Sequence, residues 1–206
     1  MNLRFRVGAW CWTAAAPLFL VVNVVVGWRW RDPGFSWAVH NVSDLGNVGC
    51  GVWAGRAVCS PWHAAMNTGM LVTALLLLAG AFLLTRYAWD GNRCGFVLLV
   101  LAGTGLGVAA LFPADVNENA HVQGAVLLFI GGNVGLIVTG LSRRARYRRS
   151  ALGLGVLGLV ATVLHLAGVG LGLGVGGMER VALAPLLVWT CVVGTLVAVT
   201  PAADPG

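Results

Sequence analysis

Six long apolar runs leave this chain few ways to fold. A membrane-spanning helix needs about 20 consecutive apolar residues, which is close to the length of each run. Helices are expected because backbone in contact with lipid must satisfy its own hydrogen bonds, and the alternating pattern of a transmembrane barrel is missing. The sequence predicts an all-α integral membrane protein, a six-helix bundle forming one polytopic domain over residues 1–206, with spans at about 8–27, 62–85, 94–112, 122–141, 151–175 and 181–199.

Composition supports this class and argues against a nucleic-acid partner. Hydrophobic residues make up 58% of the chain and charged residues 10%, whereas soluble domains carry about 25% charged residues. All 13 basic residues are arginines that lie between the apolar runs, and a nucleic-acid binder would gather them on a soluble face. We therefore expect a multi-pass protein of the cell membrane whose partners are the bilayer and a hydrophobic small molecule.

The arginines also predict an orientation. Arg4 and Arg6 precede the first span, Arg86 and Arg93 separate the second from the third, and five arginines lie in 142–149, so nine fall on one side and four on the other. The positive-inside rule then places both termini in the cytoplasm.

Acidic residues concentrate on the opposite, outward side. Five of the seven carboxylates fall in or beside the segments 28–61, 113–121 and 176–180: Asp32, Asp44, Asp115, Glu118 and Glu179. This gathering of polar chemistry on one face predicts a site at the outer end of the bundle.

The stretch FPADVNENAH, residues 112–121, supplies the leading acid–base candidates. Pro113 ends the third span, so Asp115 lies at the membrane edge, where its proton affinity is easily raised. His121 opens the next span and is predicted to be its partner. The alternative is that Asp115 caps the fourth helix and that Glu118 favours the helix dipole.

Two further outward segments repeat this chemistry. HNVSDLG, residues 40–46, carries Asp44, although Ser43 and Asp44 also fit the start of a short helix. GGMER, residues 176–180, carries Glu179 and Arg180. We predict Asp44, Asp115, His121 and Glu179 as catalytic groups around one cavity. Arg180 would neutralise Asp44 or Asp115, or clamp a substrate carboxylate or phosphate.

The remaining candidates are predicted to bind substrate. His63 and Asn67 share one face at the start of the second span. Ionisable or polar side chains inside a membrane are functional hypotheses by default, with one interhelical hydrogen bond as the alternative. The full predicted set is Asn23, Trp62, His63, Asn67, Glu118, His165, Arg180 and Trp189.

Two sequence patterns resemble functional motifs but do not predict a cofactor or a metal site. GLGVLG, residues 153–158, matches a dinucleotide fingerprint, but it lacks the preceding strand and sits in a span, so we predict no cofactor and read its glycines as close helix packing. The cysteines make no metal motif. Cys50 and Cys59 share the outward segment, where a disulfide is one alternative to free thiols.

Several of these residues together resemble a known family. The set His40, Ser43-Asp44-Leu45-Gly46, Trp62, Asn67, Phe112-Pro113, Asp115, His121, Gly124-Ala125, Gly177, Glu179-Arg180 and Trp189 is similar, over nearly the whole chain, to the bacterial and archaeal membrane family called domain of unknown function nine-nine-eight. The resemblance implies a six-helix membrane protein and supplies no reaction.

Three functions remain open on the sequence. The first is an acid–base enzyme acting on an isoprenoid or lipid, in its sharpest form a cyclase or isomerase started by protonation, with tryptophans stabilising a carbocation. The second is a zinc-dependent lipid hydrolase using His40, Asp44, His63, Asp115 and His121 as metal ligands. The third is a non-enzymatic binder or transporter of a lipid or amphiphile, although no inverted repeat is evident.

Overall fold

The predicted bundle of six membrane helices is confirmed. A computed structural model describes residues 3–84, 92–143, 145 and 147–199. Within these ranges six helices are long and apolar enough to cross a membrane: α1 (Leu3–Arg29), α2 (His63–Leu83), α3 (Arg93–Leu111), α4 (Glu118–Leu141), α5 (Arg148–Leu166) and α6 (Gly174–Val199). Which side is cytoplasmic stays a prediction of the arginine distribution.

The helices form a closed ring in chain order. Each packs against its neighbours in sequence, and α6 returns to pack against α1. Small residues allow close approach, as at the α3–α4 crossing, where a Cβ on Gly105 would lie 2.4 Å from the carbonyl oxygen of Gly124. In a bilayer the hydrophobic effect does not drive helices together, so close packing of this kind stabilises the bundle instead.

The glycines of α5 serve this packing, as their sequence indicates. A Cβ on Gly155 or Gly158 would collide with Asn133 of α4. Asn133 in turn donates its Nδ2 to the carbonyl oxygens of Phe129, 2.9 Å away, and Ala182 of α6, 3.0 Å away. One buried amide therefore joins α4 to α6, in a helix that widens into a π-helical turn at Leu127–Gly131.

The boundaries of the last two spans differ from prediction. α5 ends at Leu166 instead of near residue 175, and α6 begins at Gly174 instead of near residue 181. The connection takes left-handed backbone at Gly168, Leu171 and Gly172, which glycine adopts without strain. The predicted outward loop 176–180 is therefore helical, because these residues lie in the first two turns of α6.

The α1–α2 connection contains the short helix that was the alternative interpretation of Ser43 and Asp44, and a hairpin that the sequence did not predict. A short 3-10 helix, Ser43–Gly46, precedes the antiparallel hairpin of β1 (Gly51–Trp53) and β2 (Arg56–Val58). Ala54 and Gly55 form the turn with positive φ at both positions, as a two-residue hairpin turn requires. A disulfide joins Cys50 to Cys59 across the base of the hairpin.

This connection folds onto the neighbouring connections. The amide of Gly176 donates to Ala38, and the amide of Gly49 donates to Asp115. The α1–α2, α3–α4 and α5–α6 connections thus lie at one end of the bundle, which we call the long-loop end.

Candidate functional site at the long-loop end

An aromatic cluster packs around the ring of His40. The imidazole lies 5.3 Å from the ring of Phe35 and 4.8 Å from that of Trp30, between centroids. Its Nδ1 accepts the amide of Ser36 at 2.9 Å, so the proton is on Nε2, which lies 3.1 Å from the carbonyl oxygen of Ala57. Both nitrogens are therefore used within the protein.

Asp44 is fully buried, and both of its carboxylate oxygens accept hydrogen bonds. Arg56 of β2 donates Nε to its Oδ2 at 2.8 Å and Nη2 to its Oδ1 at 2.9 Å, and the amide of Asn41 also donates to Oδ2. The hydrogen bond to Asp44 raises the pKa of Arg56, against the lowering effect of burial. The expectation that Arg180 neutralises Asp44 is wrong, because the ion-pair partner is Arg56.

Glu179 reaches the same backbone from α6. Its buried carboxylate accepts the amide of Val42 through Oε2. Asp44 and Glu179 therefore accept hydrogen bonds from the adjacent N–H groups of residues 41 and 42.

Arg180 contacts carbonyl oxygens instead of a carboxylate. Its Nη1 donates to His40 and to Gly176, both at 2.8 Å, and its guanidinium lies 4.9 Å from the centre of the Trp37 ring. The other two nitrogens, Nε and Nη2, are buried without a hydrogen-bond partner. Three N–H groups of a charged side chain are thus left without an acceptor.

A groove between α1 and α6 ends at this arginine. Its volume is about 440 Å³, and apolar side chains form nearly all of its lining. The polar exceptions are Arg180 and Asn23, whose amide nitrogen lies 3.9 Å from the sulfur of Met66. Leu20, Val188 and Val192 line the groove and are exposed on the outside of the bundle, so the groove opens towards the surrounding lipid.

Asp115 and His121, the predicted acid–base pair, do not contact each other. Asp115 Oδ2 accepts the amide of Gly49 at 2.7 Å, and Oδ1 is buried with no partner. His121 Nδ1 lies 3.1 Å from the carbonyl oxygen of Ala109 and 2.9 Å from that of Phe112. The reason is local: the end of α3 leaves carbonyl groups without helical partners, and His121 satisfies them.

The prediction that four catalytic groups surround one cavity is therefore wrong, because the cavity that Asp115 lines does not include Asp44, His121 or Glu179. Asp115 lines a second cavity, together with Asn47 and the hairpin, while Asp44 and Glu179 share the segment 41–42. Asp115 does not cap α4 either, because Asn117 accepts the amide of Ala120 at 3.1 Å. Glu118 is exposed in the first turn of α4.

The predicted substrate-binding residues fall mostly outside the groove. His63, Asn67 and His165 each contact a backbone carbonyl oxygen, those of Ser60, Gly46 and Val175. Trp62 stacks with Arg29, and Trp189 lies in the core with ring centroids 5.8 Å from Trp12. Of the predicted set, Asn23 and Arg180 line the groove.

Two residues that matter here were not predicted, Arg56 as the partner of Asp44 and Asn47 beside Asp115. The available signal was Cys50 and Cys59 on either side of Ala54-Gly55, which indicates a hairpin containing Arg56 but not the surface on which it packs. Within the described ranges no group of three or more His, Cys, Asp or Glu residues is placed to hold a metal ion.

The helices and the polar long-loop end define a multi-pass α-helical membrane protein. The chain belongs to the family described as "Protein of unknown function (DUF998)", which matches residues 13–196 and confirms the resemblance seen in the sequence. No curated protein and no solved structure matches the chain.

Proposed function

We propose that this protein binds an anionic amphiphile of the lipid or isoprenoid class within the cell membrane, with its chain in the α1–α6 groove and its head at Arg180. The observation that carries the proposal is an apolar groove of about 440 Å³ that ends at a guanidinium with unused donors. Small-molecule sites typically measure about 300–1,000 Å³ and combine apolar walls with few polar groups.

The unused hydrogen-bond donors of Arg180 favour an anionic head group. A buried donor without an acceptor costs about 1–3 kcal/mol, and more when it is charged. Nη1 of Arg180 is held by His40 and Gly176, so Nε and Nη2 remain for a ligand. These two nitrogens form the fork that binds a carboxylate or phosphate in bidentate fashion. A small rotation of the guanidinium over Trp37 would expose them to the groove.

The groove is open on the side that faces the lipid, which favours a ligand with an apolar chain. A ligand dissolved in the bilayer reaches Leu20 and Val188 without crossing water, because both side chains face outward. Ala16 and Ala184 leave room between the helices. An acyl or isoprenyl chain matches this lining and approaches from the membrane plane.

Titration with a dodecyl phosphate probe tests the proposal. We expect saturable binding to the purified protein, weakened about 10- to 100-fold by Arg180→Gln, a loss of one charge-assisted bidentate contact of about 1.4–3 kcal/mol. Arg31→Gln is the matched control, since Arg31 is exposed near the same end. Ala184→Trp should block the groove, whereas Val163→Trp on the outer face of α5 should not. Equal affinity in all variants would refute the proposal.

A second candidate, the acid–base isomerase or cyclase of an isoprenoid, is favoured by the position of Glu179. This buried carboxylate precedes the groove residue Arg180, and within the described chain only one of its oxygens accepts a hydrogen bond. A protonated Glu179 would add its proton to an alkene, and the resulting carboxylate would remove a proton from the neighbouring carbon. Glu179→Gln separates the candidates: an enzyme retains probe binding and loses turnover, while a binding protein shows no turnover in either form.

A further inference from the structure

A second cavity at the long-loop end lies apart from the groove. It measures about 220 Å³ and is formed by the disulfide-closed hairpin and the α3–α4 connection. Its lining includes Asn47, Gly49, Trp53 and Asp115, none of which lines the α1–α6 groove. The amphiphile site makes no use of these residues.

Two oxygen acceptors at this cavity have no donor. Oδ1 of Asp115 and Oδ1 of Asn47 are both buried without a hydrogen-bond partner, and the Asn47 side chain is only 1% exposed. Asp115 also lacks a cationic neighbour, because the salt bridge found in the described chain joins Arg56 to Asp44. Asp115 as a whole is half-buried, but a buried acceptor atom such as its Oδ1 costs about 1–3 kcal/mol when it has no donor.

We propose that this cavity binds a primary ammonium group. An ammonium has three donors and a positive charge, and so supplies what Asp115 and Asn47 lack. The ring of Trp53 lines the same cavity, and an aromatic face adds attraction for a cation. A hard metal ion fits less well, since Ca²⁺ takes 6–8 oxygen ligands and no group of three metal-binding side chains occurs in the described ranges.

The frame of the site is fixed before a ligand arrives. The amide of Gly49 holds Oδ2 of Asp115 at 2.7 Å and leaves Oδ1 for the ligand. The disulfide between Cys50 and Cys59 closes the hairpin, and the ion pair of Arg56 with Asp44 anchors it to the bundle. A rigid site loses little entropy on binding, which favours a small ligand.

The ammonium comes either from an aminolipid head group or from a free amine. Ethanolamine is the common probe, and calorimetric titration of the full chain in phosphatidylcholine nanodiscs measures its binding. We expect saturable binding that falls at least tenfold in Asp115→Asn, which keeps the acceptor for Gly49. Asp32→Asn is the matched control because Asp32 is an exposed carboxylate of the same end.

A gain-of-function variant keeps the test decisive. Asn47→Asp adds a second carboxylate and should tighten ethanolamine binding severalfold, while tryptophan fluorescence confirms that each variant is folded. Nanodiscs containing phosphatidylethanolamine identify the source: weaker ethanolamine binding there points to the lipid head group, unchanged binding to a free amine, and both support the site. Equal binding by wild type and Asp115→Asn, or binding of Ca²⁺ without binding of ethanolamine, would overturn it.

Discussion

Asp44 and Asp115 lie at the same end of the bundle but differ in how completely their oxygens are hydrogen-bonded. Asp44 receives both donors of the Arg56 fork and one backbone amide. Asp115 receives one amide, from Gly49, and its second oxygen stays unpaired. The α1–α2 connection contacts both carboxylates, but it supplies a cation only to Asp44.

The difference separates a structural carboxylate from a candidate binding group. Every acceptor of Asp44 is directed to the protein, so the residue anchors the hairpin. Arg180 resembles Asp115 in this respect, because one of its three guanidinium nitrogens is held and the other two have no acceptor. Incomplete pairing, more than polarity alone, marks where a ligand is expected.

The largest expected effect on stability comes from removing the ion-pair partner of Asp44, whose two oxygens are both hydrogen-bonded within the protein. Arg56→Ala leaves the fully buried Asp44 without its partner, and the loss of one member of a buried ion pair costs about 3–5 kcal/mol. Thermal unfolding of the purified protein should show this loss. Arg31→Ala, at an exposed position, should change stability by less than about 0.5 kcal/mol. Similar stability of both variants would mean that the pair contributes little.

Removing the disulfide should have the next largest effect. Cys50 and Cys59 are separated by 9 positions, and closing a loop of that size constrains the unfolded chain by about 2–3 kcal/mol. We expect Cys50→Ser with Cys59→Ser to make the hairpin accessible to proteases under native conditions. Cys94→Ser, at an exposed free cysteine, is the control. Unchanged protection of the hairpin would contradict this role.

His121 should contribute a smaller amount. Its Nδ1 serves the carbonyl oxygens of Ala109 and Phe112 at the end of α3, and the loss of one such hydrogen bond costs about 1 kcal/mol. His121→Phe should therefore lower the unfolding temperature without abolishing either ligand affinity. If it abolished turnover instead, the predicted catalytic role of His121 would be restored.

Asp115→Asn should have the smallest effect on stability. Asparagine keeps an oxygen for the Gly49 amide, and the unpaired oxygen has no protein donor to lose. We expect a change below about 0.5 kcal/mol in thermal unfolding. A loss as large as that of Arg56→Ala would show that Asp115 is as structural as Asp44.

The sequence was sufficient for the helices but not for the pairing of their polar residues. Apolar length decides what spans a bilayer, so all six helices were predictable. The ends of α5 and α6 were not, because glycines at 168 and 172 end one helix within an apolar run. Asp44, Glu179 and Arg180 were recognised as candidates, whereas Arg56, the partner of Asp44, lies on a hairpin whose position over residue 44 no local pattern specifies.

Photolabelling tests the amphiphile site most directly. A diazirine placed in the chain of an anionic amphiphile should label residues 16–23 of α1 and 183–192 of α6, the two walls of the groove. We predict that this labelling is retained in Arg31→Gln and lost in Arg180→Gln. Labels spread evenly over the outer faces of all helices, and unchanged by Arg180→Gln, would contradict it.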